Sequence, residues 1–330
     1  MKGLRSALAS LIIAGSVAHG QDARGDVDTA TFRSQALGIT KRYLVYLPPS
    51  YQRDAARRYP TAYYLHGLWG DETNWTALGA LHLTLDSLIA HGMPEMVVVM
   101  PDGDDSWYTT WNFLGDWPGC QRQAPPQRPK ERVADYCVPW PHYDDYIARD
   151  LVAHIDSSYR TMRDPRRRGI AGLSMGGYGA VWLALAYPDV FSAAASHSGI
   201  LAPLLTAYDS TTHQARYAGD VSEISEAYGS LWPSLQVAFG KDTAGWWARD
   251  PGRRAMGRAT RSGAREPPGL YVDVGASDRY ANQSRAFRDA LAGSQLLPEY
   301  HERPGAHDWT YWRGNAAHSL RFLARELARQ

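Results

Sequence analysis

Gly172-Leu173-Ser174-Met175-Gly176 holds a serine between two glycines, between a short apolar run and a segment of small residues. This is the G-x-S-x-G pattern of a nucleophile elbow, a sharp strand-to-helix turn that exposes a hydroxyl for attack. The chemistry it points to is acyl transfer from an ester. Glycine and serine frequencies alone produce such a pattern by chance in roughly one chain of this size in ten, so the flanks decide. Arg168-Gly169-Ile170-Ala171 reads as a short buried strand. Gly177 to Ala186 reads as a closely packed helix ended by Pro188. Strand, tight turn and helix are the context the motif requires.

A serine hydroxyl needs a base to take its proton and an acid to orient that base. With an elbow nucleophile the chain order is nucleophile, acid, base. Leu270 to Val274 reads as a strand running into Gly275-Ala276-Ser277-Asp278, which makes Asp278 the acid. Its other reading is the N-cap of the segment that follows. Asp273, inside the strand, is the weaker choice. His307 follows the strand Tyr300 to Arg303 and a Pro304-Gly305 turn, and is the best base. His301 points from a strand and His318 sits inside a helix, so both read as ordinary structural histidines. Two N–H donors for an oxyanion are expected: that of Met175, directly after the nucleophile, and that of Leu68, in the turn Leu65 to Gly70.

Strands and helices alternate through the chain. Thr29 to Ser34, Thr40 to Leu47, Thr61 to Leu65, Met96 to Met100 and Phe191 to Ser196 read as further strands. Leu78 to Ile89, Asp144 to Tyr159, Arg285 to Leu291 and Trp312 to Leu327 read as helices. The alternation predicts an α/β fold, a mostly parallel central sheet with helices on both faces. Two segments break it. Residues 104–141 are rich in Pro, Gly and Trp, and residues 200–268 are polar and weakly patterned. Each is either a functional lid or surface decoration.

The 330 residues are 44% hydrophobic and carry a net charge of +1. No basic stripe suggests a nucleic-acid partner, and no residue cluster calls for a metal or other cofactor. Residues 1–20 have a basic start, a short apolar run and small residues at the cleavage positions, as in a secretory signal peptide. The run is too short for a stable membrane span. A secreted or periplasmic protein follows, with residues 21–330 as a single catalytic domain. Export permits a disulfide between the only two cysteines, Cys120 and Cys137, which in the chain-entropy picture contributes about 3 kcal/mol.

Five stretches carry a family resemblance: Tyr64-Leu65-His66-Gly67, Pro101-Asp102-Gly103 with Ser106-Trp107-Tyr108, Ala171 to Gly177, Gly275 to Asp278, and Pro304 to Trp309. In this order they resemble the esterase D group of α/β-hydrolases, with its feruloyl esterases, S-formylglutathione hydrolases and mycobacterial mycolyltransferases. The resemblance implies an α/β-hydrolase fold and a Ser174–Asp278–His307 triad. The segment Trp111 to Pro141, with its cysteine pair, departs from the family pattern. Twelve tryptophans include several near the expected catalytic face. Trp107 and Trp309 are taken as substrate-binding, stacking on a sugar or a phenolic acyl group, while about half of the twelve are assigned to core packing. The expected substrate is a small-molecule or carbohydrate ester, with water as acyl acceptor. An acyltransferase, an S-formylglutathione hydrolase-like thioesterase and a non-enzymatic carbohydrate-binding protein are the alternatives. Oligomeric state is not legible in the sequence.

Overall fold

The computed structural model describes residues 24–111, 140–259 and 266–329. The proposed signal segment 1–20 and both cysteines, Cys120 and Cys137, lie outside the described residues. Eight strands form one sheet: β1 (Asp26–Arg33), β2 (Thr40–Leu47), β3 (Thr61–Leu65), β4 (Val97–Pro101), β5 (Arg168–Leu173), β6 (Ala193–His197), β9 (Gly269–Gly275) and β10 (Glu299–Arg303). Their spatial order is β1-β2-β4-β3-β5-β6-β9-β10. Every pair from β4 to β10 is parallel, and only β1–β2 and β2–β4 run antiparallel. Helices cover both faces, as the alternation predicts.

Side chains alternate between the two faces along each strand. Val45, Tyr63, Val99, Ile170 and Val272 share one cluster with the helix α5 (Met175–Ala186) and with the helical run of α3 (Tyr143–Asp145), a π-helical turn (Tyr146–Leu151) and α4 (Val152–Ser158). Leu44, Tyr64, Val98, Ala171 and Tyr271 share the other with α2 (Leu81–Ala90) and the closing helix α11 (Trp309–Ala328). The central strands β3, β4 and β5 are buried throughout, which is why they read as short, mostly apolar runs.

Two expectations are corrected. The periodic leucines suggest one helix from Leu78, but the chain forms a short helix α1 (Asn74–Ala77) and then breaks. Ala80 takes a left-handed φ of 49°, and Leu78 is left exposed. Residues 200–268 are also more regular than their composition suggests. They hold a hairpin of β7 (Leu205–Asp209) and β8 (Gln214–Tyr217), then α6 (Ser222–Tyr228), α7 (Trp232–Phe239), α8 (Thr243–Trp247) and α9 (Pro251–Ala259). Their apolar residues, among them Ile224, Leu235, Phe239 and Trp246, join the α5 side of the core. Short elements with few apolar positions each give a weak periodic signal.

Helix α11 buries Ala316, Leu320, Leu323 and Leu327 against the sheet, the face read from the sequence. Leu320 is wholly buried. Leu320→Ala is expected to lower the unfolding free energy by about 2–5 kcal/mol, measured by urea denaturation at neutral pH.

Candidate active site

The β5–α5 junction forces Ser174 into an unusual backbone conformation, φ 52° and ψ −117°. A non-glycine residue there is strained by roughly 1–3 kcal/mol and persists only when its surroundings over-determine it. They do so here. The Ser174 N–H donates to the His197 carbonyl at 2.9 Å, and its own carbonyl accepts from the Tyr178 N–H at 3.0 Å. The flanking glycines are required by contact: a Cβ on Gly172 would overlap the Gly176 carbonyl, and one on Gly176 would overlap the carbonyls of Leu65 and His66. Helix α5 therefore approaches β3 and β5 as closely as backbone allows.

Asp278 lies three residues beyond β9. Its N–H donates to the Gly275 carbonyl at 2.9 Å, and its Oδ1 accepts the Tyr280 N–H at 2.8 Å. That bond closes a turn and is not the helix N-cap weighed against catalysis in the sequence: helix α10 (Ala281–Ala290) has Tyr280 at its N-cap, with no side-chain bond there. The other oxygen of Asp278, Oδ2, is free to face His307 Nδ1, 2.8 Å away. The turns after β9 and β10 are joined by Ala276 N–H to Arg303 O and Ser277 N–H to Gly305 O. These bonds bring the acid and the imidazole together from different loops. His307 Nε2 lies 2.9 Å from Ser174 Oγ. A carboxylate at Nδ1 requires the proton there, leaving the Nε2 lone pair for the serine. The ring is held edge-on by Tyr280 at 5.1 Å and Trp312 at 5.0 Å.

Burial raises the pKa of Asp278, but the hydrogen bond and charge of His307 and the Tyr280 N–H outweigh it and hold the carboxyl below its ordinary value. It is the ionised form that steadies the imidazole.

The loop after β3 packs over the elbow. Gly67 stands so close that a Cβ there would lie 3.5 Å from Ser174 Cβ. Leu68, the next residue, is half-buried against the core. Met175 is the first residue of α5, where an N–H has no intrahelical acceptor. The structure thus brings the elements carrying both expected donors beside the serine.

The imidazole of His66, unassigned in the sequence, pins this loop. Its Nδ1 is 2.7 Å from the Gly67 carbonyl, and its Nε2 is 2.8 Å from the Gly103 N–H. One nitrogen must donate and the other must accept, so His66 is neutral, with the proton on Nδ1. Beneath it Lys41 Nζ contacts Asp102 Oδ2 and Asp104 Oδ2, both at 2.7 Å, all three buried. Burial would push Lys41 down, but the two carboxylates hold it well above its ordinary value. Burial likewise raises Asp102, and Lys41 together with the neighbouring His66 holds it well below its ordinary value. Lys41 sits in β2, on the same face as Tyr43 and Val45, and its local sequence gives it no special mark. The Asp102-Gly103-Asp104-Asp105 run directly after a buried strand is the signal that could have found this network.

A second Ser–His–Asp array lies nearby. His197 Nδ1 is 2.8 Å from Asp273 Oδ1, and His197 Nε2 is 2.8 Å from Ser319 Oγ. All three are fully buried, and Ser319 sits within α11. Its hydroxyl donates to the Ala316 carbonyl or to His197. Nothing outside the protein reaches it, so this array holds β6, β9 and α11 together. His301 and His318 lie in β10 and α11, as expected.

Of the two tryptophans taken as substrate-binding, Trp107 is corrected. It is fully buried, edge-on to Tyr178 and tilted on Phe239, with its Nε1 donating to Ser234 Oγ at 3.0 Å. It is a core residue, because the segment 200–268 folds over it. Trp309 is half-buried and edge-on to Trp75 and Trp312.

The sequence profile of the family described as "Putative esterase" matches residues 34–323. An esterase of Mycobacterium tuberculosis is 27% identical over 282 residues, 84% of this chain and 54% of that protein. The endo-1,4-beta-xylanase/feruloyl esterase of Xylanibacter ruminicola is 29% identical over 175 residues, 51% of this chain and 20% of that protein. The chain thus spans about half or less of the length of these curated relatives. A solved structure titled ferulic acid esterase superposes with a TM-score of 0.66 at 24% identity, covering 92% of this chain and 99% of that one. That likeness establishes the α/β-hydrolase fold.

A depressed carboxyl pKa contributes stability above its unfolded value, about 3.9, and loses it as pH falls through the folded value. The stability difference between wild type and Asp278→Asn is therefore expected to be constant from pH 7 to about 5 and to shrink below about 4. Urea unfolding across that range measures it, and a difference independent of pH removes the ionised carboxylate from the account.

Proposed function

The chain belongs to the putative esterase family, and on that premise we propose that it is a secreted serine carboxylic ester hydrolase working through an acyl-enzyme. The observation that carries this reading is the continuous relay of three side chains: carboxylate to Nδ1 at 2.8 Å, Nε2 to Ser174 Oγ at 2.9 Å.

In the proposed mechanism Ser174 Oγ attacks the ester carbonyl carbon while His307 Nε2 takes its proton. Asp278 stays ionised and stabilises the imidazolium that forms. The oxygen that becomes negative is received by the N–H groups of Met175 and Leu68, each contributing on the order of 3 kcal/mol to the transition state. Collapse expels the alcohol, which takes the proton from His307. Water then attacks the acyl-serine, with His307 again accepting the proton; collapse breaks the bond to Ser174 Oγ, which takes that proton back from His307 as the acid leaves. No cofactor enters these steps.

The proposed substrates are acylated carbohydrates or aromatic esters of the feruloyl or acetyl type. The names of the feruloyl and ferulic acid esterases among the similar proteins support this class. Trp309, two residues beyond His307, is retained as a contact for the substrate. Residues 1–20 are proposed to be removed on export, leaving 21–330 as one catalytic domain with a Cys120–Cys137 disulfide. No helix among the described residues is long and apolar enough to cross a membrane.

Two measurements test the reading. Ser174→Ala is expected to lower kcat on p-nitrophenyl acetate by roughly three or more orders of magnitude, with the fold unchanged by circular dichroism. Retained turnover rejects the nucleophile. The rate is also expected to fall at acidic pH, because only a neutral imidazole accepts the serine proton. A flat profile removes His307 as base. Free acid released with and without a sugar acceptor separates hydrolysis from acyl transfer.

A further inference from the structure

We propose that Trp69 determines specificity in this site, as a platform on which the ring-bearing half of an ester stacks; the proposal rests on the esterase reading above. Residues 67–70 form a reverse turn closed by the Gly70 N–H on the Gly67 carbonyl at 3.1 Å. Of its two central residues only Trp69 has a positive φ, 62°. That is the pattern of a type II turn, whose third position ordinarily holds glycine or asparagine. Tryptophan is disfavoured there on two counts. Its Cβ crowds the backbone in the left-handed region, and its large apolar ring is 53% exposed, where indoles are usually highly buried.

The turn is held in place from both sides. The Trp69 N–H donates to Asp105 Oδ1 at 2.6 Å, and Gly67 is pressed against the elbow, where a Cβ would lie 2.7 Å from Leu173 Cδ1 and 3.5 Å from Ser174 Cβ. Two Cα steps from Gly67 are at most about 8 Å, so the Trp69 Cα stands within about 13 Å of Ser174 Cβ. By contrast, Trp107 lies in the core, and Trp309 meets Trp75 and Trp312 edge-on. Among the described residues no ring contact involves Trp69. A strained backbone that keeps an aromatic face unpacked, two residues from a glycine pressed on the nucleophile, fits a binding role better than a structural one. The ligand chemistry is a flat ring face, either an aromatic acyl group or a sugar in the alcohol.

The test compares wild type, Trp69→Gly and Trp69→Phe on methyl ferulate, a peracetylated xylose and ethyl acetate, with a melting curve for each protein. Trp69→Gly is expected to melt no lower than wild type, since glycine meets this turn without left-handed crowding. Its kcat/KM for a ring-bearing ester relative to ethyl acetate is expected to fall roughly 3- to 10-fold, chiefly through KM, and Trp69→Phe is expected to retain most of the ratio. The ester that responds, ferulate or xylose acetate, identifies which half carries the ring. Unchanged ratios for both overturn the proposal, as does an equal loss on ethyl acetate, which would make the turn a mere support for the Leu68 N–H. Absence of any Ser174-dependent cleavage overturns the esterase reading instead. In that event dissociation constants for methyl ferulate and the xylose acetate on Ser174→Ala, with and without Trp69→Gly, still decide the platform, and equal constants overturn it.

Discussion

The close approach of helix α5 to strands β3 and β5 is the constraint on which the rest depends. It exists because Gly172 and Gly176 present no side chain to one another or to the carbonyls of Leu65 and His66. Backbone packed at that distance accompanies a strained, positive-φ conformation at Ser174, whose hydroxyl meets His307 Nε2. Burial of α5 from Met175 through Leu185 offsets the strain, since each fully buried large side chain contributes on the order of 2 kcal/mol. Once the serine stands at the carboxyl end of β5, its partners must come from the carboxyl ends of parallel neighbours, where loops of an open α/β sheet converge. Asp278 and His307 arrive from β9 and β10, and the bonds between those two loops set their spacing.

Backbone strain gathers around this one place. Trp69, Asp104, Trp107, Tyr108, Ser174 and Ser198 all have positive φ, and all lie in the elbow or in the loops packed on it. Polar anchors keep them there. Neutral His66 joins the Gly67 and Gly103 backbones, the Tyr108 hydroxyl donates to the His66 carbonyl, and the Lys41–Asp102–Asp104 cluster fixes the floor. Such groups are costly to bury and tolerable only when every partner is present, so they favour one loop arrangement over its neighbours.

The two serine–histidine–aspartate arrays make the same point from the other direction. Distances in the His197 array match those at His307, and the residue types are identical. Only access differs: Ser319 lies inside a helix with no exposed surface, whereas Ser174, at the strand-to-helix turn, keeps 9% of its surface exposed. Geometry of three side chains is therefore insufficient to mark a reacting centre, and the position of the nucleophile in the fold decides.

Much of this could be read from the chain because the signals are local. Buried strands announce themselves as apolar runs, the elbow as five residues, and the order serine, aspartate, histidine follows from where loops meet in a parallel sheet. The face of α11 is visible as a spacing of three and four residues. Other features needed contacts distant in sequence. Leu78 has the right spacing for a helix that the left-handed Ala80 prevents. Trp107 reads as a loop aromatic and becomes core only when Phe239 and Ser234 fold over it. Lys41 is an ordinary strand lysine until two aspartates sixty residues away bury it. Trp69 is one tryptophan among twelve until its turn type and exposure are known. Residue type and short-range order thus determined which atoms could react and in what sequence they must come. Tertiary structure decided which copies of the same chemistry reach solvent, because burial and approach are properties of segments that meet only after the chain has folded.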